Sequence, residues 1–364
     1  MNEIAKFAIQ YTGFLDPEGN VQQNLPEFTH HVHELLTLYQ QMLLIRLFDE
    51  KAIALQRTGR LNTYASILGQ EAISVGIGAS MHKEDVLCPF YRDYGAQLMR
   101  GVKMSEILSF WKGNEWANHF SECYFDFPIC VPIATQLLHA AGVATAFKLR
   151  KQKRVVVTTC GDGATSEGDF YEALNIAGVW KLPLVIVINN NQWAISMPRK
   201  KQSHAQTLAQ KAIAAGIQGE QIDGNDLIAV KWVMDRALAK AREGQGPSLI
   251  EALSYRLSDH TTADDSSRYR REEELHDAWQ KEPLKRLKNY LMNQKMWSDA
   301  AEEKFKKECK EHIENAVTDY LSLPKPAVTD MFDYHYAQLS QDLIEQRVEA
   351  EALLMLLNKD RVNV

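Results

Sequence analysis

Residues 154–191 read RVVVTTCGDGATSEGDFYEALNIAGVWKLPLVIVINNN, and this stretch decides the fold. Arg154 to Cys160 (RVVVTTC) is β-branched and largely apolar, the composition of a parallel strand buried on both faces, and Leu182 to Ile188 (LPLVIVI) is a second such run. Between them Phe170, Ala173, Leu174 and Ala177 recur at steps of three and four, which predicts an amphipathic helix capped near Thr165 or Ser166. Strand, glycine-bearing turn, helix and strand make one unit of a doubly wound, mostly parallel α/β sheet. Ligands of such sheets lie beyond the carboxyl ends of the strands, where Asp162 and Asn191 both emerge.

The chemistry of that position is specific. Backbone N–H groups of Gly163 and Ala164 at the helix start favour an anion, yet a carboxylate beside them repels a phosphate. A hard cation between the two removes the conflict, because magnesium or calcium takes carboxylate, amide and carbonyl oxygens together with phosphate oxygens. Asp162, the side-chain oxygen of Asn191 and the backbone carbonyl of Trp193 are the predicted ligands. GDG alone also fits an ordinary strand-to-helix turn. A nicotinamide-binding turn is disfavoured, since its third glycine or alanine is replaced by Ser166.

The longer run GDGATSEGDFYEALNIAGVWKLPLVIVINNNQWAIS resembles the thiamine diphosphate motif of the α subunits of heterotetrameric 2-oxo acid dehydrogenases. Further matching blocks are Gln56 to Leu61 (QRTGRL), Gly69-Gln70-Glu71-Ala72, Pro89 to Asp93 (PFYRD), Leu208 to Gly216 (LAQKAIAAG), Ile222 to Asp226 (IDGND) and Asp259 to Arg270 (DHTTADDSSRYR), so the resemblance covers nearly the whole chain. It implies thiamine diphosphate and Mg2+ as cofactors, and oxidative decarboxylation of a 2-oxo acid with transfer of the acyl group to a lipoyl acyltransferase. Pyruvate is the first choice of substrate. Branched-chain 2-oxo acids, acetoin and a non-catalytic subunit of the same fold are the alternatives.

The resemblance also assigns residues. Tyr91 and Arg92 match the pair that binds the diphosphate, and Ile133 the position whose backbone meets the pyrimidine ring. His260, in a polar loop after a strand, is the acid-base candidate, and histidine ordinarily titrates near neutral pH. A second histidine is expected between about 113 and 126, where His119 is the one available and the surrounding motif departs from the family's. Asn189 stands where some relatives carry an arginine that reaches the phosphate. Thiamine catalysis needs a carboxylate on the pyrimidine nitrogen, which single-chain enzymes take from a second doubly wound domain. This chain has motifs for the diphosphate-binding domain alone, so a β subunit and an α2β2 assembly are expected. The alternative is that Glu71 reaches the pyrimidine across a homodimer.

The 364 residues carry 41 Lys and Arg against 47 Asp and Glu, a net charge of −6 that argues against nucleic acid as a partner. Five cysteines without a C-x-x-C spacing suggest neither a disulfide framework nor a zinc site. No apolar run approaches the length of a membrane span, and the N-terminus lacks the pattern of a secretory signal, so a cytoplasmic location is expected. His30, His31 and His33 read as exposed polar residues. The expected division is a polar arm over 1–30 with a turn at Asp16 to Asn20, the α/β domain over 31–322, and a helical extension over 323–364. Within the domain, helices are predicted at about His33 to Arg57 and Gln136 to Lys148, and a strand at Ser248 to Tyr255.

Overall fold

The computed structural model describes residues 2–324, 326–333 and 335–362, the side chains of 358–362 excepted. Its sheet strands are β1 (Gln10–Thr12), β2 (Val86–Cys88), β3 (Val156–Gly161), β4 (Leu184–Asn190), β7 (Gln218–Asp223) and β8 (Ser248–Leu253), while β5 (Trp193–Ala194) and β6 (Met197–Pro198) form a small hairpin. The six-stranded sheet runs β1-β7-β8-β4-β3-β2 with every neighbouring pair parallel.

Alternation along the strands splits the core into two layers, as period two requires. Leu184, Ile186 and Ile188 of β4 face Phe170, Leu174 and Ala177 of the helix Gly168–Val179 and Leu137, Ala140 and Ala144 of the helix Thr135–Leu149. Val185 and Val187 face the other way, toward Ile73 and Ile77 of the helix Glu71–Ser80 and Val230, Val233 and Met234 of the helix Leu227–Arg242. Helices thus cover both faces, and strands buried on both sides read as continuous apolar runs. A third cluster centres on Leu35, Met42, Ile45 and Phe48 of the helix Val32–Arg57.

Two local expectations are corrected. The expected cap near Thr165 or Ser166 is replaced by a single 3-10 turn at Gly163–Ser166, after which the helix begins at Gly168 with Glu167 as N-cap and no capping side-chain bond. The N-terminal segment is not only an arm: β1 extends the sheet at its edge beside β7, and Phe14 and Leu15 are buried in the third cluster. The turn at Asp16 forms, its carboxylate accepting the N–H groups of Glu18 and Asn20 at 3.0 and 2.8 Å.

The chain divides into two compact units, residues 1–320 and 321–364. The second holds the helices Asp330–Asp333 and Gln341–Val362 and an Arg347–Asp333 ion pair at 2.8 Å; positions 325, 334, 363 and 364 of the expected extension lie outside the described residues. Among the described residues, no helix is long and apolar enough to cross a membrane.

Candidate cofactor and metal site

The carboxyl ends of β3, β4 and β8 converge on one cavity of about 240 Å³, lined by Tyr91, Arg92, Ile133, Asp162, Gly163, Ala164, Asn191, Trp193 and His260, with Gln136, Glu167 and Gln202 among its other walls. The 3-10 turn after β3 lies close against the β5–β6 hairpin. A Cβ on Gly163 would stand 2.8 Å from Ala194 Cβ, so glycine is what permits this approach. Gln202 Nε2 donates to Gly163 O at 3.0 Å and ties the turn to the chain beyond β6. Backbone strain collects here as well: Ala134, Gln192 and Ile195 have φ of 68°, 73° and 53°, and positive φ is a marked outlier for a β-branched residue.

Asp162 is 2 % exposed, and its Oδ2 has no hydrogen-bond partner among the described residues. Burial pushes its carboxyl up to about 7. Asn191 is oriented from both ends: its Oδ1 accepts the Trp193 N–H at 3.2 Å, and its Nδ2 donates to Gln70 Oε1 at 3.0 Å. The Trp193 carbonyl accepts from Arg256 Nη1 at 3.2 Å and keeps a second lone pair. An unsatisfied buried carboxylate oxygen beside an amide oxygen and a carbonyl oxygen is a donor set that fits a hard divalent cation.

Arg92 is buried, donating from Nη2 to the carbonyl of His260 at 2.9 Å and to its Nδ1 at 3.2 Å, and from Nη1 to the carbonyl of Ser66. Arg256, fully buried, donates to Ile195 O at 2.8 Å and Tyr269 Oη at 2.7 Å and approaches His260 Nδ1 at 3.4 Å. Tyr269 in turn donates to Asp264, whose carboxylate accepts the His260 N–H at 2.8 Å. The loop after β8 is therefore laced to the β5–β6 hairpin through one guanidinium.

The profile of the "Dehydrogenase E1 component" family matches residues 39–329. The chain belongs to the dehydrogenase E1 component family. It is 40% identical to a "Pyruvate dehydrogenase E1 component subunit alpha" of Mycoplasma genitalium over 91% of this chain and 93% of the relative. A Mycobacterium tuberculosis protein named "3-methyl-2-oxobutanoate dehydrogenase subunit alpha" is 42% identical over 93% of this chain and 90% of its own. A Staphylococcus aureus "Pyruvate dehydrogenase E1 component subunit alpha" is 39% identical over 91% and 90%.

In this E1 chain the histidine of the β8 loop is not the freely titrating group that a solvated loop would give. Burial, then the charges of Arg92 and Arg256, push His260 down to about 3, with Asp264 opposing. Both guanidinium contacts end on Nδ1, so the neutral ring carries its proton on Nε2. His119 is not brought to the cavity; it is exposed and follows the short helix Glu115–Asn118. Asn189 does not line the cavity either, its Oδ1 accepting from Ser254 Oγ at 3.0 Å. Glu71 is fully buried, bonded to Arg46 Nε at 2.5 Å and to the Gly69 N–H at 3.0 Å. A role for it across a homodimer would require breaking that buried pair.

The sequence gives no site role to Arg256, Gln70, Gln136, Glu167 or Gln202, although Gln70 and Glu167 fall within the matching blocks. Arg256 had a signal: a charged residue three positions after a buried strand that ends at the ligand side of the sheet. Gln136, with Nε2 bonded to Thr159 O at 2.7 Å and a buried Oε1 lacking a partner among the described residues, had none beyond its neighbourhood.

Proposed function

We propose that this chain is the α subunit of a pyruvate dehydrogenase that holds thiamine diphosphate through Mg2+, works as an α2β2 assembly with a β subunit, and hands its acetyl group to a lipoyl acyltransferase. The observation that carries this reading is the meeting, in one cavity at the strand ends, of a buried carboxylate oxygen with no partner among the described residues, an oriented amide oxygen and the buried guanidinium of Arg92, with Arg256 behind the wall against His260. When bound, thiamine diphosphate supplies the electron sink that lets a 2-oxo acid lose carbon dioxide.

The chain's own residues have separable tasks. Asp162, Asn191 Oδ1 and the Trp193 carbonyl hold the metal. Arg92 brings positive charge to the diphosphate with Tyr91 beside it, and Gly163 and Ala164 let the backbone come close. Ile133 walls the cavity and offers its backbone to the pyrimidine ring. His260 presents its Nε2 proton as a donor; an anion that offsets the charges of Arg92 and Arg256 raises its affinity for a second proton, bringing acid-base work within reach.

A partner at the cavity mouth is supported by the half-exposed apolar side chains of Val131, Ile133 and Ile195. Branched-chain 2-oxo acids are the second reading, favoured by the 42% identical relative named for 3-methyl-2-oxobutanoate. Steady-state rates with pyruvate, 3-methyl-2-oxobutanoate and acetoin on the chain co-purified with its β subunit decide between them. The expected result is the highest kcat/KM for pyruvate and no turnover by the chain alone. A higher value for the branched-chain acid moves the assignment to that activity, and robust turnover without a second subunit overturns the α2β2 reading.

A further inference from the structure

The structure assigns Gln70 as a positioning residue that fixes which end of the Asn191 amide faces the metal site. The inference rests on the metal reading above and extends it to a residue outside the cavity wall.

An asparagine side chain has one ligating atom, its oxygen; rotated by half a turn about the amide, it offers an N–H2 group that repels a cation. Two contacts choose the orientation here. The Trp193 N–H holds Asn191 Oδ1 at 3.2 Å, and Gln70 Oε1 takes the Nδ2 hydrogen at 3.0 Å. The first contact is local, spanning two residues of one turn and favouring the oxygen on that side, whereas the Gln70 contact ties the amide nitrogen to a segment far away in sequence.

Gln70 is itself placed by a rigid frame. It is 0 % exposed at the start of the helix Glu71–Ser80 and donates its backbone N–H to Ile67 O at 2.9 Å. Gly69 before it has φ +90°, and a Cβ there would fall 2.4 Å from Tyr255 O, so the chain at 69 is pressed against the residue preceding Arg256. Leu257 N donates to Leu68 O at 3.2 Å and Arg256 N to Asn191 O at 3.2 Å, closing a ring of contacts around the metal-side turn. Gln70 Nε2 is buried with no partner among the described residues, so what position 70 supplies to this ring is an acceptor, and its donor half is unused. Partners that orient a metal ligand typically change metal affinity about 10- to 100-fold when removed.

The test uses that asymmetry. Gln70→Met keeps length and removes the acceptor; Gln70→Glu keeps the acceptor and removes the idle donor. Mn2+ binding to the full chain assembled with its β subunit, in the presence of thiamine diphosphate, is followed by loss of the free-ion electron paramagnetic resonance signal, with thermal unfolding as the check on folding. The expected result is a fall in Mn2+ affinity of about 10- to 100-fold for Gln70→Met and recovery of most of that loss in Gln70→Glu. Wild-type affinity in Gln70→Met, or equal loss in both variants, overturns the assignment. Asp162→Ala run alongside separates the two levels: if it too binds Mn2+ like the wild type, the metal reading falls and takes this proposal with it.

Discussion

The turn after β3 and the loop after β8 bring opposite kinds of ionisable group to the same cavity, and burial treats them alike. It disfavours the charged form of each, raising Asp162 to about 7 and lowering His260 to about 3. They differ in what surrounds them. Asp162 Oδ2 has no hydrogen-bond partner among the described residues, whereas His260 is held at its backbone N–H, its carbonyl and its Nδ1. A carboxylate with a spare oxygen is completed by a cation. An imidazole pinned between two guanidinium groups is returned toward ordinary titration by an anion. One ligand that carries both charges, such as the metal diphosphate proposed above, would satisfy both regions.

The largest effect expected from breaking this pairing is on the loop. His260→Ala lowers turnover of the assembled enzyme about 10²- to 10⁴-fold, the usual range for an acid-base group, while its unfolding midpoint stays near that of the wild type. Near wild-type turnover in the variant removes His260 from the chemistry and leaves the comparison resting on Asp162 alone.

A second prediction concerns the frame that joins the two regions. Gly69→Ala places a Cβ against Tyr255 O in a backbone conformation suited to glycine, and lowers stability by about 1–3 kcal/mol, read as a drop in the urea midpoint. An unchanged midpoint shows that the segment before the helix Glu71–Ser80 adapts, and that the contact between residues 69 and 255 is not rigid.

The smallest effect is a pH dependence. Because the folded Asp162 binds its proton more tightly than the unfolded chain, its ionisation destabilises the metal-free protein as pH rises from about 4 through 7. Asp162→Asn makes that decline shallower in melting temperature measured across this window. It does not abolish it, since burial raises Asp93 to about 7 and Asp49 to about 6 with the same sign. His260 acts in the opposite direction: held neutral in the fold, it favours unfolding as pH falls from about 6.5 toward 3. A slope unchanged in Asp162→Asn means that the carboxylate is already compensated within the chain.

What was readable in the sequence follows the same division. β3 and β4 announce themselves because strands buried on both faces must be apolar throughout, and the glycines and polar residues at their ends are then confined to the ligand side. His260 sits in a loop with no periodicity, and its place came from the resemblance of the DHTTADDSSRYR block. Its lowered titration depends on burial and on Arg92, which comes from a distant segment, as well as on Arg256 four residues before it, so no local reading contains it. β1 escaped notice because three residues at a sheet edge carry too little pattern, and the burial of Glu71 against Arg46 exists only once two helices have packed.

The proposed function requires that the cavity at the ends of β3, β4 and β8 take a metal diphosphate through Asp162. Calorimetric titration of thiamine diphosphate into the assembled protein, with and without Mg2+, tests it most directly when wild type and Asp162→Ala are compared. The expected result is tight binding in the wild type that requires Mg2+ and is lost in Asp162→Ala. Binding that is equally tight without the metal, or unchanged in the variant, contradicts it.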